Sequence, residues 1–289
     1  MTEAPSSPAL LWHPLTPKGV AGAAAAPRWQ VWIAMGLTAA LAVFSLLNFL
    51  NQCWWPVVVE AIEHLEDGGL IRNGVLQPGG AKTDATLARN RHLSIGLNWT
   101  DTSLRDQASD VRVFLQLDRA LVCSLFGCVA VSYQGFGDMP LGRTETGAWW
   151  RAWSPFLNGA AALGLVLFLI ISWWLLGILY AWAIRLLAFY LDRQVDFTGA
   201  ARVAQAALIP GALWLTAALF AYANDWLDLV GLLVVFVMHV PVGWLYAGLA
   251  GRNLPPRPDV LPNNPFQPSE SPESPTAVSA ENPLGKAGE

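Results

Sequence analysis

Four stretches of this chain that are long and apolar enough for a membrane-crossing helix hold no lysine or arginine, and that pattern limits what the chain can fold into. Residues 29–50 hold no charged side chain at all. A helix rising 1.5 Å per residue needs about 20 such positions to cross a hydrocarbon layer about 30 Å thick. The other stretches are 155–183, 203–223 and 227–251, where Asp228 alone intrudes, at an end. A chain with 54% hydrophobic and 13% charged residues has the balance of a membrane protein rather than of a soluble domain.

The polar ends of these stretches set an orientation. Lys18 and Arg28 precede the first, Arg185, Arg193 and Arg202 lie between the second and third, and Arg252 and Arg257 follow the fourth. The loop between the third and fourth holds Asp225 and Asp228 and no base. Because basic loops stay inside, both termini are expected in the cytoplasm, and the first span reads as an uncleaved signal anchor. The 15 Trp residues fit this frame, with Trp54, Trp55, Trp149, Trp150 and Trp226 near one boundary and Trp29, Trp182 and Trp244 near the other. An aromatic cage for a cation is the alternative for the Trp54/Trp55 and Trp149/Trp150 pairs.

Residues 53–153 hold 9 Lys/Arg and 11 Asp/Glu, nearly balanced, which suits a folded insert. Val57, Ala61, Ile62 and Leu65 recur at helical spacing until Gly68-Gly69, so a short helix continues from the first span. Asn73-Gly74 between apolar pairs signals a hairpin over 70–76. Alternation predicts strands through Leu93, Ile95, Leu97 and Trp99 and through Val111, Val113, Leu115 and Leu117, and two more over 121–133 turning at Gly127. Cys123 and Cys128 flank that turn, within reach of a disulfide in an oxidising compartment, or else pack as two small apolar side chains under the sheet. Cys53 reads as a free buried thiol.

The expected fold is therefore a membrane all-α helical bundle of four transmembrane helices with an extracytoplasmic α+β insert containing a small antiparallel sheet. Residues 1–28 form a disordered cytoplasmic tail and 29–50 the first span. The insert covers 51–153, the second span 155–183 and a cytoplasmic loop 184–202. The third span, 203–223, a short outer loop, 224–226, and the fourth span, 227–251, lead to a disordered Pro/Ser-rich tail, 252–289. Within these segments Asn98-Trp99-Thr100 is a glycosylation sequon, and Asn264-Pro265-Phe266 resembles a short adaptor-binding motif.

Function is written less plainly. A net charge of −4 with no Lys/Arg block excludes nucleic acid as a partner. The chain lacks a phosphate-cradling loop, a His-Glu-x-x-His run, a nucleophile elbow and a closed Cys/His set, so no catalytic, cofactor-binding or metal-ligating residues are expected. An ionisable residue inside a span is a functional candidate by default, and His239 in the fourth span is the one that qualifies. Ser172 and Thr216 lie at similar depth as its hydrogen-bond partners, giving a staple between helices or a station on a proton path. Pro210-Gly211 and Pro241 should bend the third and fourth spans.

The run Trp55-Pro56-Val57-Val58 through Ala61-Ile62, then Ile71-Arg72-Asn73-Gly74-Val75-Leu76 and Ile209-Pro210-Gly211-Ala212, carries a likeness over most of residues 30–250. In these residues the chain resembles an uncharacterised group of bacterial polytopic membrane proteins, including maltodextrin-operon membrane proteins, related to the Yip-type membrane proteins. The resemblance implies a bacterial inner-membrane module with an extracytoplasmic insert, and it carries no catalytic residues across to this chain. The leading expectation is a non-enzymatic module embedded in the lipid bilayer whose insert binds a membrane or envelope protein partner or an envelope ligand. The alternative is a transporter or permease accessory subunit using kinked third and fourth spans and His239. An enzyme would need Glu60, Glu63, His64 or Asp67 to converge in a cleft, where they otherwise form the solvated face of a helix.

Overall fold

The computed structural model describes residues 13–77, 79–80, 84–98, 109–135 and 137–257. Four helices among them are long and apolar enough to cross a membrane: Arg28–Glu63, Arg143–Tyr190, Phe197–Ala223 and Leu229–Gly251. The first is a composite. Helix α2 (Arg28–Phe49) passes through one wide π turn, Leu50–Trp54, into α3 (Trp55–Glu63). Pro56 has no N–H to give to the turn before it, and the helix accommodates this loss beside the π turn instead of breaking.

The second helix, α4 (Arg143–Tyr190), has 48 residues and starts well before the expected boundary at residue 155. Pro155 lies inside it, and the start is fixed from elsewhere: Asp67 Oδ1 accepts from the Thr144 backbone N–H at 3.2 Å and from its hydroxyl at 3.1 Å. An acidic oxygen on the free amides of a first turn supplies the cap that Gly142 cannot. At its other end α4 runs to Tyr190, so the expected loop 184–202 shrinks to the few residues before α5 (Phe197–Ala223). At 1.5 Å per residue α4 is about 72 Å long and α2–α3 about 54 Å, so both outrun an apolar layer of about 30 Å and flank the sheet domain as paired stalks. There Trp55 meets Trp150 edge-on at 5.1 Å, and its indole N–H donates to Asn158 Oδ1 at 2.7 Å.

Helix α5 is the hub, packed against α2, α4 and α6 (Leu229–Gly251). Its buried Ala200, Ala204, Ala206, Ala207 and Gly211 let neighbouring backbones approach, which is how helices associate when no water drives them together. The outward faces of α4 and α6 are the reverse of a soluble protein's, with Leu163, Phe168, Ile171, Leu179, Phe236 and Val237 all exposed. In water each of these would forgo about 1.5–3 kcal/mol of burial, so the surface suits a hydrocarbon surrounding.

The described residues just before the first span and just after the last are more ordered than composition suggests. Residues 13–27 include helix α1 (Pro17–Gly22), capped by the Thr16 hydroxyl, with Val20 fully buried against α5 and α6. Tyr246 donates to the Leu15 carbonyl and Arg202 to that of Ala26. At the other terminus Leu254 is buried, Arg193 donates to its carbonyl at 2.9 Å, and Arg193 bridges to Pro256. These segments are too short to register as spans, yet they close one end of the bundle. Residues 1–12 and 258–289, with Asn264-Pro265-Phe266, lie outside the described residues.

Between α3 and α4 lie two sheets. Strands β1 (Leu70–Arg72) and β2 (Val75–Gln77) form the expected hairpin, with Asn73 and Gly74 at φ 51° and 74°, and β8 (Met139–Pro140) pairs with β1. The larger sheet has the order β3 (Ala85–Arg89), β4 (Leu93–Leu97), β5 (Val111–Leu115), β6 (Arg119–Ser124), β7 (Gly127–Ser132). It is not wholly antiparallel, as composition and alternation suggest, because β4 and β5 pair in parallel. A link of about a dozen residues joins them, long enough for the crossover that parallel pairing requires. The β6–β7 turn falls at Leu125-Phe126, one step before Gly127, whose φ is 115°. Cys123 faces Cys128 across this hairpin and the two are joined by a disulfide. Buried Val57 and Ala61 of α3 pack on Leu87, Ala88 and Leu93 of the sheet.

Ile71, Leu76 and Tyr133 form a small core between the two sheets. Burial, and then the charge of Asp118, push the Tyr133 hydroxyl up to about 12. An unfolded chain would ionise it near 10, so its contribution to stability is intact below about pH 10 and is lost as pH rises toward 12. Tyr133→Phe is expected to remove that alkaline loss in thermal melts taken from pH 8 to 12, whereas a wild-type slope in the variant would refute the assignment.

Candidate functional site

Because β4 and β5 are parallel, the residues just before each strand lie side by side at one edge of the sheet, the edge that meets the helices. Asn90 organises this edge. Its Oδ1 accepts from the backbone of His92 at 2.9 Å and of Leu93 at 2.8 Å, and its Nδ2 donates to the Cys53 carbonyl at 2.6 Å. Asp110 N–H donates to the Arg91 carbonyl at 2.9 Å and Val111 N–H to that of His92 at 3.0 Å. The Ser109 hydroxyl donates to the Asn90 carbonyl.

Facing them are the last turn of α5 and the α5–α6 loop. The Tyr222 hydroxyl donates to Asp110 Oδ2 at 2.7 Å. Arg91 reaches the Asp225 carboxylate at 3.2 Å and the Leu227 carbonyl at 3.3 Å. Asp225 and Leu227 belong to the loop between α5 and α6, so the guanidinium holds that loop through one carboxylate and one backbone carbonyl, both charge-assisted hydrogen bonds. Between these groups sits His92, with Nε2 3.3 Å from Asp225 Oδ1 and Nδ1 3.7 Å from Asp110 Oδ2. Its ring stands edge-on to Tyr222 at 4.6 Å and to Phe49 of α2 at 5.6 Å. The Cys53 thiol, buried as expected, donates to the Ala223 carbonyl at 3.4 Å.

This is a joint rather than a cleft. His92 is 3% exposed, too enclosed for a substrate to reach its ring, and the polar contacts of Asn90, Arg91, His92 and Asp110 tie the sheet to the helices, to the α5–α6 loop or to itself. Among the described residues no group of three or more His, Cys, Asp or Glu is placed to hold a metal ion.

The residues that sequence reasoning singled out lie elsewhere. His239 sits in α6 with Nδ1 on the Phe236 carbonyl of its own helix, and Thr216 donates to the Ala212 carbonyl at 2.8 Å. Ser172 is half-buried in α4, and the bonds of His239 and Thr216 go to their own helices rather than to each other or to Ser172. A hydroxyl in a helix finds its nearest acceptor one turn back, which removes the need for a partner across the interface. Helices α5 and α6 run unbroken through Pro210 and Pro241. The two Trp pairs do not close into a cage: Trp55 meets Trp150, whereas Trp149 stacks on Trp153. Glu60, Glu63, His64 and Asp67 are all exposed; Asp67 caps α4, and Glu63 lines an open groove of about 360 Å³ between α3 and α4 with Arg143 and Arg151. Asn98 is buried, and the other two residues of its sequon lie outside the described residues.

The joint itself escaped sequence reasoning. Its signal was the polar triplet Asn90-Arg91-His92 directly before an apolar strand, and Tyr222 with Asp225 at the end of a span. No protein family, characterised protein or solved structure matches the chain.

Proposed function

We propose that the chain is a non-enzymatic integral membrane module whose sheet domain lies outside the membrane, binds a protein or envelope ligand, and couples that event to the helix bundle. The observation that carries this reading is the joint: Arg91, His92 and Asp110 of the sheet engage Tyr222, Asp225 and Leu227 at the α5–α6 turn. A domain held merely as cargo needs no more than its two chain connections, whereas this one is also tied to helices more than a hundred residues away in sequence. The basic residues at the opposite end of the bundle and the acidic α5–α6 loop support a cytoplasmic position for both termini. The resemblance to bacterial polytopic proteins supports an inner-membrane location.

The test compares the full chain with one in which residues 68–142 are replaced by a short flexible linker, a length suited to the Asp67–Thr144 contact. Covalent crosslinking in native membranes should capture a partner with the full chain and lose it with the shortened one. Maleimide that cannot cross membranes should label Asn73→Cys in intact cells. The same capture with both chains, or capture with neither, overturns the binding reading; unlabelled Asn73→Cys overturns the orientation.

A further inference from the structure

The β6–β7 hairpin is built against the usual rules for a strand pair in water. Its two-residue turn is Leu125-Phe126, with exposures of 58% and 79%, where such turns favour Asn-Gly, the pair this chain itself uses at residues 73–74. Strand β7 is a sheet edge, and Val129 on it is 66% exposed. From residue 120 to residue 137 there is no charged side chain. Exposed edges are normally guarded by charges, most often lysine, and this one has none.

The register fixes where the tip points. Arg112 pairs with Cys123, so Ser124 is level with Val111 and the turn is level with Asp110. Asp110 is the residue that accepts from Tyr222 in the last turn of α5. The tip is thus at the helix-facing end of the sheet. Strands in a sheet are about 4.8 Å apart, so the turn joining β6 and β7 lies roughly 5–10 Å to the side of β5, displaced from the contact that Asp110 makes with α5. The exposed Trp226, in the α5–α6 loop, marks the same level.

We infer that Leu125 and Phe126 form an apolar finger that dips into the interfacial layer of the membrane the helices cross. This rests on the reading of those helices as transmembrane, with the sheet domain on one side. The Cys123–Cys128 disulfide clips the hairpin one residue pair behind its last pair, so the finger is preformed and loses little freedom on entering the lipid. A lipid surface is favoured over a second copy because the finger ends at the level where the apolar helix surface ends, and burial of Leu and Phe at that boundary is a recurrent mode of interfacial anchoring.

The test uses the full chain in lipid nanodiscs holding one copy each, with an environment-sensitive fluorophore on Phe126→Cys or, as a second site, Leu125→Cys. Cys53 is buried and stays in place. Nitroxide-labelled phosphatidylcholine should quench either site about twofold or more beyond a probe on Asn73→Cys in the β1–β2 turn. A probe on Ile171→Cys, on the exposed face of α4, should be quenched as well. Quenching at Ile171 with none beyond the Asn73 level at Phe126 and Leu125 overturns the finger alone. No quenching at Ile171 overturns the membrane reading beneath it. A blue shift at Phe126 that develops only in vesicles carrying many copies assigns the tip to a second copy and also overturns the proposal.

Discussion

Asp110→Ala is expected to detach the sheet domain from the helices without unfolding either. The substitution strands the Tyr222 hydroxyl, which loses the acceptor at 2.7 Å, and takes one of two carboxylates from beside the buried His92 ring. Leaving a buried donor without a partner costs about 1–3 kcal/mol, whereas Tyr222→Phe, which removes donor and demand together, should cost about 1 kcal/mol. Hydrogen exchange is the measurement that separates a joint from a core. Amides of residues 90–93 and 110–113 should lose protection in Asp110→Ala, while those of α5 and the β1–β2 hairpin keep theirs. A uniform loss over the whole chain would mean that the cluster is simply part of one folding unit. The Asp110→Ala/Tyr222→Phe double variant should be less destabilised than the sum of the singles, because the two residues share one bond.

Gly211→Val should damage the bundle most. A Cβ at position 211 would stand 2.5 Å from the backbone carbonyl oxygen of His239, and a backbone atom cannot swing aside as a side-chain end can. Helices α5 and α6 must then separate, at an overpacking cost of about 1–3 kcal/mol or more. Gly164→Ala is the matched control: its Cβ meets nothing within 4 Å, and a better helix former is worth about 1 kcal/mol there. Melting of the detergent-solubilised protein should fall sharply for Gly211→Val and hold or rise for Gly164→Ala. His239→Leu should change it little, since the ring bonds only to the Phe236 carbonyl of its own helix. Equal losses for the two glycine variants would remove the close α5–α6 contact as the cause.

The helices were legible because their signal is local and long. Long apolar runs free of lysine and arginine gave all four, and Asn73-Gly74 gave the hairpin, since each property belongs to consecutive residues. The limits of α4 were hidden because its first turn is capped by Asp67, 77 positions away. The parallel β4–β5 pair was hidden for the same kind of reason: alternation fixes which face of a strand is buried and leaves its direction open. The joint follows from that direction, so the polar triplet Asn90-Arg91-His92 and the pair Tyr222 and Asp225 were visible in the sequence while their meeting was not. His239 drew notice for its depth in a span, while His92, more deeply enclosed, lay in an unremarkable polar triplet.

The contact between Asp67 and Thr144 brings the two crossing points of the sheet domain together. Seen from the stalks, everything between them is a bead threaded on a helical hairpin, closed by a contact that lies outside the bead itself. Such a gap can be refilled. A replacement bead that kept Arg91, His92 and Asp110 at its helix-facing end would keep the hold on the α5–α6 turn, so the rest of the sheet domain is free to change at its own rate.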